Sequence, residues 1–192
     1  GMNDTYLQNA AFNTYSPSGC GSSVANLTNA YLWDADLTDA FLCDADLTDA
    51  YLREADLTDA YLRNVNFTNA DLSYADLTDA TLFRADLTDA SLRFADLSDT
   101  DLRANLANAD LYAADLTNAI AYSADLTNAS LRFADLTNAK LRSADLTDAD
   151  LYSANLTDAD FYSATVTNAD FASTIWSNTI WTDGFAYDTN QA

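Results

Sequence analysis

The chain has 192 residues, with 30 acidic side chains against eight basic ones, no histidine, and a formal charge of −22 at pH 7. Such a charge argues against direct binding to nucleic acid or to an anionic membrane, and the missing imidazole removes the commonest general base and transition-metal ligand. At 49% apolar residues the sequence is too hydrophobic for a disordered acidic chain and long enough for one domain, while no apolar run approaches the length of a membrane span.

Residues 1–24 lose regular patterning after Phe12 and contain Ser16-Pro17-Ser18-Gly19. They are predicted to form an N-terminal cap segment. No signal-peptide pattern opens the chain, which favours the cytoplasm. Gly1 before Met2 resembles a tag remnant, and a leader removed ahead of it would instead imply a periplasmic or lumenal protein. Cys20 and Cys43 are read either as two independent thiols or as a disulfide tying the N-terminal segment to the body, the latter implying an oxidising compartment.

From Ala25 to Asp183 the chain repeats every five residues, as in Ala35-Asp36-Leu37-Thr38-Asp39, Ala45-Asp46-Leu47-Thr48-Asp49 and Ala144-Asp145-Leu146-Thr147-Asp148. On an α-helix, five residues advance a side chain by about 140°, so the leucines would spiral with no apolar face. On a continuous strand an odd period sends successive leucines to opposite sides. The pattern buries its leucines only if the backbone turns once per repeat. With leucine at position i, the alanine at i−2 points inward with it, and positions i−1, i+1 and i+2 face out. Asp and Asn at i+2 suit a turn.

These repeats resemble the A(D/N)LXX pattern of the pentapeptide-repeat family, over about four-fifths of the chain. The resemblance implies an all-β fold: a right-handed quadrilateral β-helix with one repeat per side and four per coil. Residues 25–183 then make about eight coils, a rod roughly 38 Å long at one sheet spacing per coil. Residues 184–192 are left as a C-terminal tail.

One repeat is a residue short: Leu102 is followed by Leu106. The order of sides should survive, with one corner tightened. In the next coil Ala121 takes a leucine position, and neighbouring Ile120 is the expected compensation. Trp176 and Trp181 occupy central positions near the end of the repeats. Indoles are too large for the usual interior, so they are predicted to plug the end of the rod.

Counting modulo four assigns the surface. The side centred on Leu37 carries no basic residue; Asp36, Asp56, Asp76, Asp96, Asp115 and Asp135 stand at i−1, and Asp39, Asp59, Asp79, Asp99 and Asp158 at i+2. The side centred on Leu27 also lacks basic residues. Arg53, Arg93 and Arg132 fall on a third side, and Arg63, Arg84, Arg103, Lys140 and Arg142 on the fourth. Aspartates one rung apart repel by about 0.9 kcal/mol in bulk water, so salt, Ca²⁺ or moderate acid is expected to raise the melting temperature. The Arg93, Tyr112, Arg132, Tyr152 and Arg103, Tyr122, Arg142, Tyr162 columns are expected to make cation–π contacts between rungs.

The six i−1 aspartates are the candidate interaction surface for a protein partner; a solvated, anti-aggregation face is the plainer reading. No nucleophile–base pair, phosphate loop or cysteine cluster appears, so no catalytic residue, metal ligand or cofactor is expected, and no enzyme. The expected assembly is a monomer or an end-to-end homodimer. The resemblance adds an alternative, because some acidic members of the family mimic DNA and bind type II topoisomerases. The eleven carboxylates of the Leu37 side average about one per 3.4 Å of rod, like one strand of B-DNA.

Overall fold

A computed structural model of the protein describes residues 25–187. Residues 1–24, including Cys20 and the expected cap, and residues 188–192 of the tail lie outside the described residues. The chain winds as a right-handed, four-sided β-helix. Its eight coils are 25–44, 45–64, 65–84, 85–103, 104–123, 124–143, 144–163 and 164–183, and the sides are numbered one to four from Leu27, Leu32, Leu37 and Leu42.

Each repeat contributes one parallel bridge at i−1, such as Asn26↔Asp46 and Tyr31↔Tyr51. Leu27 N–H donates to the Asp46 carbonyl (2.7 Å), Asp46 N–H to that of Ala25 (2.9 Å) and Asn29 N–H to that of Thr48 (2.9 Å). Ala30 N–H then closes a turn onto the Leu27 carbonyl at 2.9 Å. The third residue of that turn needs positive φ, a region most L-residues avoid. Among the described residues thirty non-glycine residues adopt it, with φ between 52° and 63°. On sides one and three all of them are Asn or Asp, from Asn29 and Asp39 to Asn168 and Asn178, the residues that tolerate this conformation best.

The interior is the column set the repeat requires. Leu47, Leu52, Leu57 and Leu62 fill one coil and are 0% exposed, and Ala45, Ala50, Ala55 and Ala60 sit beside them, also buried. The small alanines let four branched side chains meet in a narrow square.

The short repeat tightens one corner and preserves the sides. Ala104 N–H donates to the Leu102 carbonyl (2.9 Å), a bond across two residues that forms a γ-type turn in place of the usual four-residue one. The bridges Asp86↔Asn105 and Asp101↔Ile120 keep every side in order. Ile120 does not compensate for Ala121: it stands at i−1, 38% exposed, and bridges Asp101 and Lys140 on the outside. The alternation of the strand sends it outward, and Ala121 alone occupies the buried position.

Cys43 is disulfide-bonded and buried, which excludes a free thiol at this position; Cys20 lies outside the described residues.

At the C-terminal end Phe161, Phe171, Trp176 and Trp181 form one aromatic cluster. The indole centroids are 4.9 Å apart and the Phe171 and Trp181 rings 5.1 Å apart. A short antiparallel hairpin follows, β1 (Thr179–Ile180) with β2 (Ala186–Tyr187). Gly184 turns it at φ +89°, where an added Cβ would lie 3.1 Å from the Tyr162 ring. No helix among the described residues is long and apolar enough to cross a membrane.

Candidate functional site

Side three brings all six predicted aspartates into one column. Asp36, Asp56, Asp76, Asp96, Asp115 and Asp135 bridge in succession, and the column ends in Asn155 and Ile175. Five are half-buried and Asp56 is exposed. The flanking turn residues Asp39, Asp59, Asp79 and Asp99 are exposed.

Sequence reasoning missed a structural task for these carboxylates. Each Oδ1 accepts the backbone N–H two residues on: Thr38 to Asp36 (3.1 Å), Thr58 to Asp56 (3.0 Å), Thr78 to Asp76 (2.9 Å), Ser98 to Asp96 (2.9 Å), Thr117 to Asp115 (2.8 Å) and Thr137 to Asp135 (2.9 Å). The side chain thereby supplies the partner that the turn denies its own backbone. The available signal was the restriction of i−1 on sides one and three almost entirely to Asp and Asn.

Asparagine relieves the repulsion where it enters a column. Asn105 Nδ2 donates to Asp86 Oδ1 (3.1 Å) and Asn155 Nδ2 to Asp135 Oδ1 (3.2 Å). In the turn columns Asn64 donates to Asp44 (2.8 Å), Asn168 to Asp148 (3.0 Å) and Asn178 to Asp158 (2.6 Å). No Asn interrupts the column from Asp36 to Asp135. Asp76→Asn is therefore expected to stabilise by about 0.5–1 kcal/mol: the amide oxygen keeps the turn bond and the amide nitrogen can donate to a neighbouring carboxylate. Asp76→Ala, which loses that bond, should destabilise by about 0.5–1.5 kcal/mol. Thermal melts at low salt measure both, and added salt should shrink the gain of the Asn variant.

Two carboxylates of side one act against the expected response to acid. The Thr48 hydroxyl and backbone N–H hold the Asp46 carboxyl below its ordinary value of 3.8, and Thr147 does the same for Asp145. Hydrogen bonds to the charged form outweigh its desolvation there. A folded-state pKa below the unfolded one adds stability that is present above the unfolded pKa and is lost as pH falls through the folded one. These two groups should thus lower the melting temperature on acidification below about pH 4, against the rise expected from relief of repulsion in the columns. A scan from pH 6 to pH 3 reads this directly. Among the described residues no acidic group is arranged to hold a metal ion.

Sides two and four carry the cations. Arg93 lies 4.4 Å from the Tyr112 centroid and Arg132 4.7 Å from that of Tyr152. Arg93 also pairs with Asp110 (2.8 Å), Arg132 with Asp150 (2.9 Å) and Arg142 with the buried carboxylate of Asp160 (2.5 Å). Arg103 departs from the expected Tyr122 contact; it grips Asp101 through two nitrogens and stacks on Phe83 at 4.6 Å. Tyr74, Phe94, Tyr112, Phe133 and Tyr152 form a continuous ring ladder on side two, with centroids 4.9–5.8 Å apart. Three of these rings stand on positive-φ residues, which is why a count of i+1 positions alone does not find them.

The family model described as Pentapeptide repeats matches in eight copies, over 25–64, 45–82, 66–103, 103–132 and 134–172. HetL, a pentapeptide repeat protein involved in heterocyst differentiation regulation from the cyanobacterium Nostoc sp. strain PCC 7120, is 30% identical; the alignment covers 85% of this chain and 87% of HetL, with a TM-score of 0.39. A trypsin-treated variant of QnrB1, a plasmid-mediated fluoroquinolone resistance protein, is 17% identical over 80% of this chain and 82% of its own, with a TM-score of 0.61. A further pentapeptide repeat protein from Nostoc PCC 7120 is 41% identical over 52% of this chain and 69% of its own, with a TM-score of 0.18. No curated protein matches.

Proposed function

The chain belongs to the pentapeptide-repeat family, and from that premise we propose that it is a non-enzymatic interaction scaffold whose acidic side three receives a basic protein partner. The uninterrupted aspartate column, repeated at one sheet spacing and free of basic side chains, carries the reading. Regular carboxylates on a rigid rod present a fixed charge pattern at no further ordering cost. The aromatic cluster around Trp176 and Trp181 is assigned the role of end plug, and residues 1–24 that of cap, leaving the sides as working surface. In solution the rod is a monomer or an end-to-end homodimer.

The test compares wild type with a variant in which Asp36, Asp56, Asp76, Asp96, Asp115 and Asp135 are all Asn, which keeps every turn bond. A basic protein retained from a source lysate by wild type and lost by the variant supports the proposal. Equal capture by both overturns it.

A second reading is a DNA-mimicking regulator of a type II topoisomerase such as gyrase. The eleven carboxylates at about one per 3.4 Å favour it, as does a fold shared with a fluoroquinolone resistance protein. Among the described residues the corners from 25 to 183 are short turns or bends, and no loop projects to engage such an enzyme. A supercoiling assay separates the readings: inhibition or drug protection at micromolar protein supports the mimic, and complete indifference removes it.

A further inference from the structure

Five of the eight basic residues are paired with a carboxylate: Arg53, Arg93, Arg103, Arg132 and Arg142. The side chains of Arg63 and Arg84 make no ion pair or hydrogen bond among the described residues. In a chain with 30 acidic residues, two adjacent unpaired guanidinium groups call for a cause. Both converge on the half-buried ring of Phe83 on side four, Arg63 at 5.3 Å and Arg84 at 5.1 Å from its centroid, and Arg103 joins them from the next coil at 4.6 Å. Three cations within these distances of one centroid lie at most about 10 Å apart, within or near a Debye length of each other. Their mutual repulsion opposes the cation–π attraction, so the arrangement has little structural benefit on its own.

The backbone points the same way. Arg84 sits at φ +62°, where a long side chain is strained. The corresponding turn positions on side four hold Asp44, Asn64, Ser123, Ser143 and Ser163, all small polar residues. Arg103 lies in the one repeat that lost its turn residue, which places it in the tightened corner beside the same ring. Strain retained at a corner and charge left unneutralised coincide at one spot.

We propose that Arg63, Arg84 and Arg103 around Phe83 form a receptor for a phosphate-type oxyanion, a phosphate or sulfate monoester group. Guanidinium forks match such oxygens bidentately. The Phe83 ring fixes the stems and offers an apolar floor. Asp101 holds Arg103 in place through both its oxygens. The acidic sides repel free anions, so an oxyanion approaches the cationic sides, where this patch holds the arginines without a carboxylate partner.

The experiment is titration of the full chain with inorganic phosphate, sulfate and phenyl phosphate at constant ionic strength, read by NMR on the arginine Nε–H resonances. Saturable shifts at Arg63, Arg84 and Arg103 are expected, with phenyl phosphate at least as tight as phosphate. Arg84→Ser places at the corner the residue found at three other turns of the side; it should keep or raise the melting temperature while weakening binding at least tenfold. Arg63→Gln should weaken it similarly. Non-saturable shifts matched by chloride, or undiminished binding by the folded Arg84→Ser variant, would overturn the proposal.

Discussion

Leu136→Ala is expected to destabilise the rod by about 2–5 kcal/mol, a large share of the stability of a domain this size. Leu136 is 0% exposed and stands on side three between Leu116 and Leu156, both buried. Its small neighbours Ala134 and Ala139 cannot grow into the space, and the backbone ladder holds the coils at fixed spacing. The site therefore collapses little, which places the loss in the upper part of the range. Because each coil contacts only its neighbours, the damage should be local. Hydrogen exchange should accelerate most in coils 5 to 7 and least in coils 1 to 3. A chemical denaturation curve gives the magnitude, and exchange profiles give the reach. Uniform acceleration along the whole rod would show a globally cooperative unit instead.

The same one-dimensional coupling explains how much of the molecule is legible in the sequence. A period of five is compatible with neither helix nor continuous strand, so Leu37, Leu57 and Leu77 have to point inward and Asp36, Asp56 and Asp76 outward; the counting that places them on one side needs only four repeats per coil. The short repeat at Leu102 to Leu106 is legible for the same reason. What escapes is hydrogen bonding at the scale of a single turn. In the sequence the Asp46 carboxylate is one charge among many, whereas the Thr48 hydroxyl and N–H bind it and favour its charged form. Ile120 misleads in a different way, since proximity in sequence suggests filling and strand alternation sends it outward. The Phe83 cluster is invisible because Arg63, Arg84 and Arg103 come from three separate repeats and from two different turn positions.

Asn138→Ile tests the turn geometry itself and is expected to cost about 2 kcal/mol or more. Asn138 adopts φ +59°, and its N–H donates to the Thr157 carbonyl at 2.9 Å. A β-branched side chain in this region clashes with its own backbone, and relaxing φ would pull the N–H off the ladder. Two controls isolate the cause. Asn138→Gly removes the steric conflict and should stay within about 1 kcal/mol of wild type, its residual cost being unfolded-chain entropy. Asn138→Asp keeps a residue that tolerates the conformation, and its smaller cost should fall with added salt. An Ile variant as stable as the Gly variant would mean that the corner adapts its backbone, and the restriction of these columns to Asn and Asp would then need a cause in the surface rather than in the turn. The comparison therefore asks whether the acidic character of side three is a consequence of folding or an addition to it: if only the Ile variant suffers, Asn would serve the turns as well as Asp, and the choice of Asp39, Asp59, Asp79 and Asp99 is left for recognition to explain.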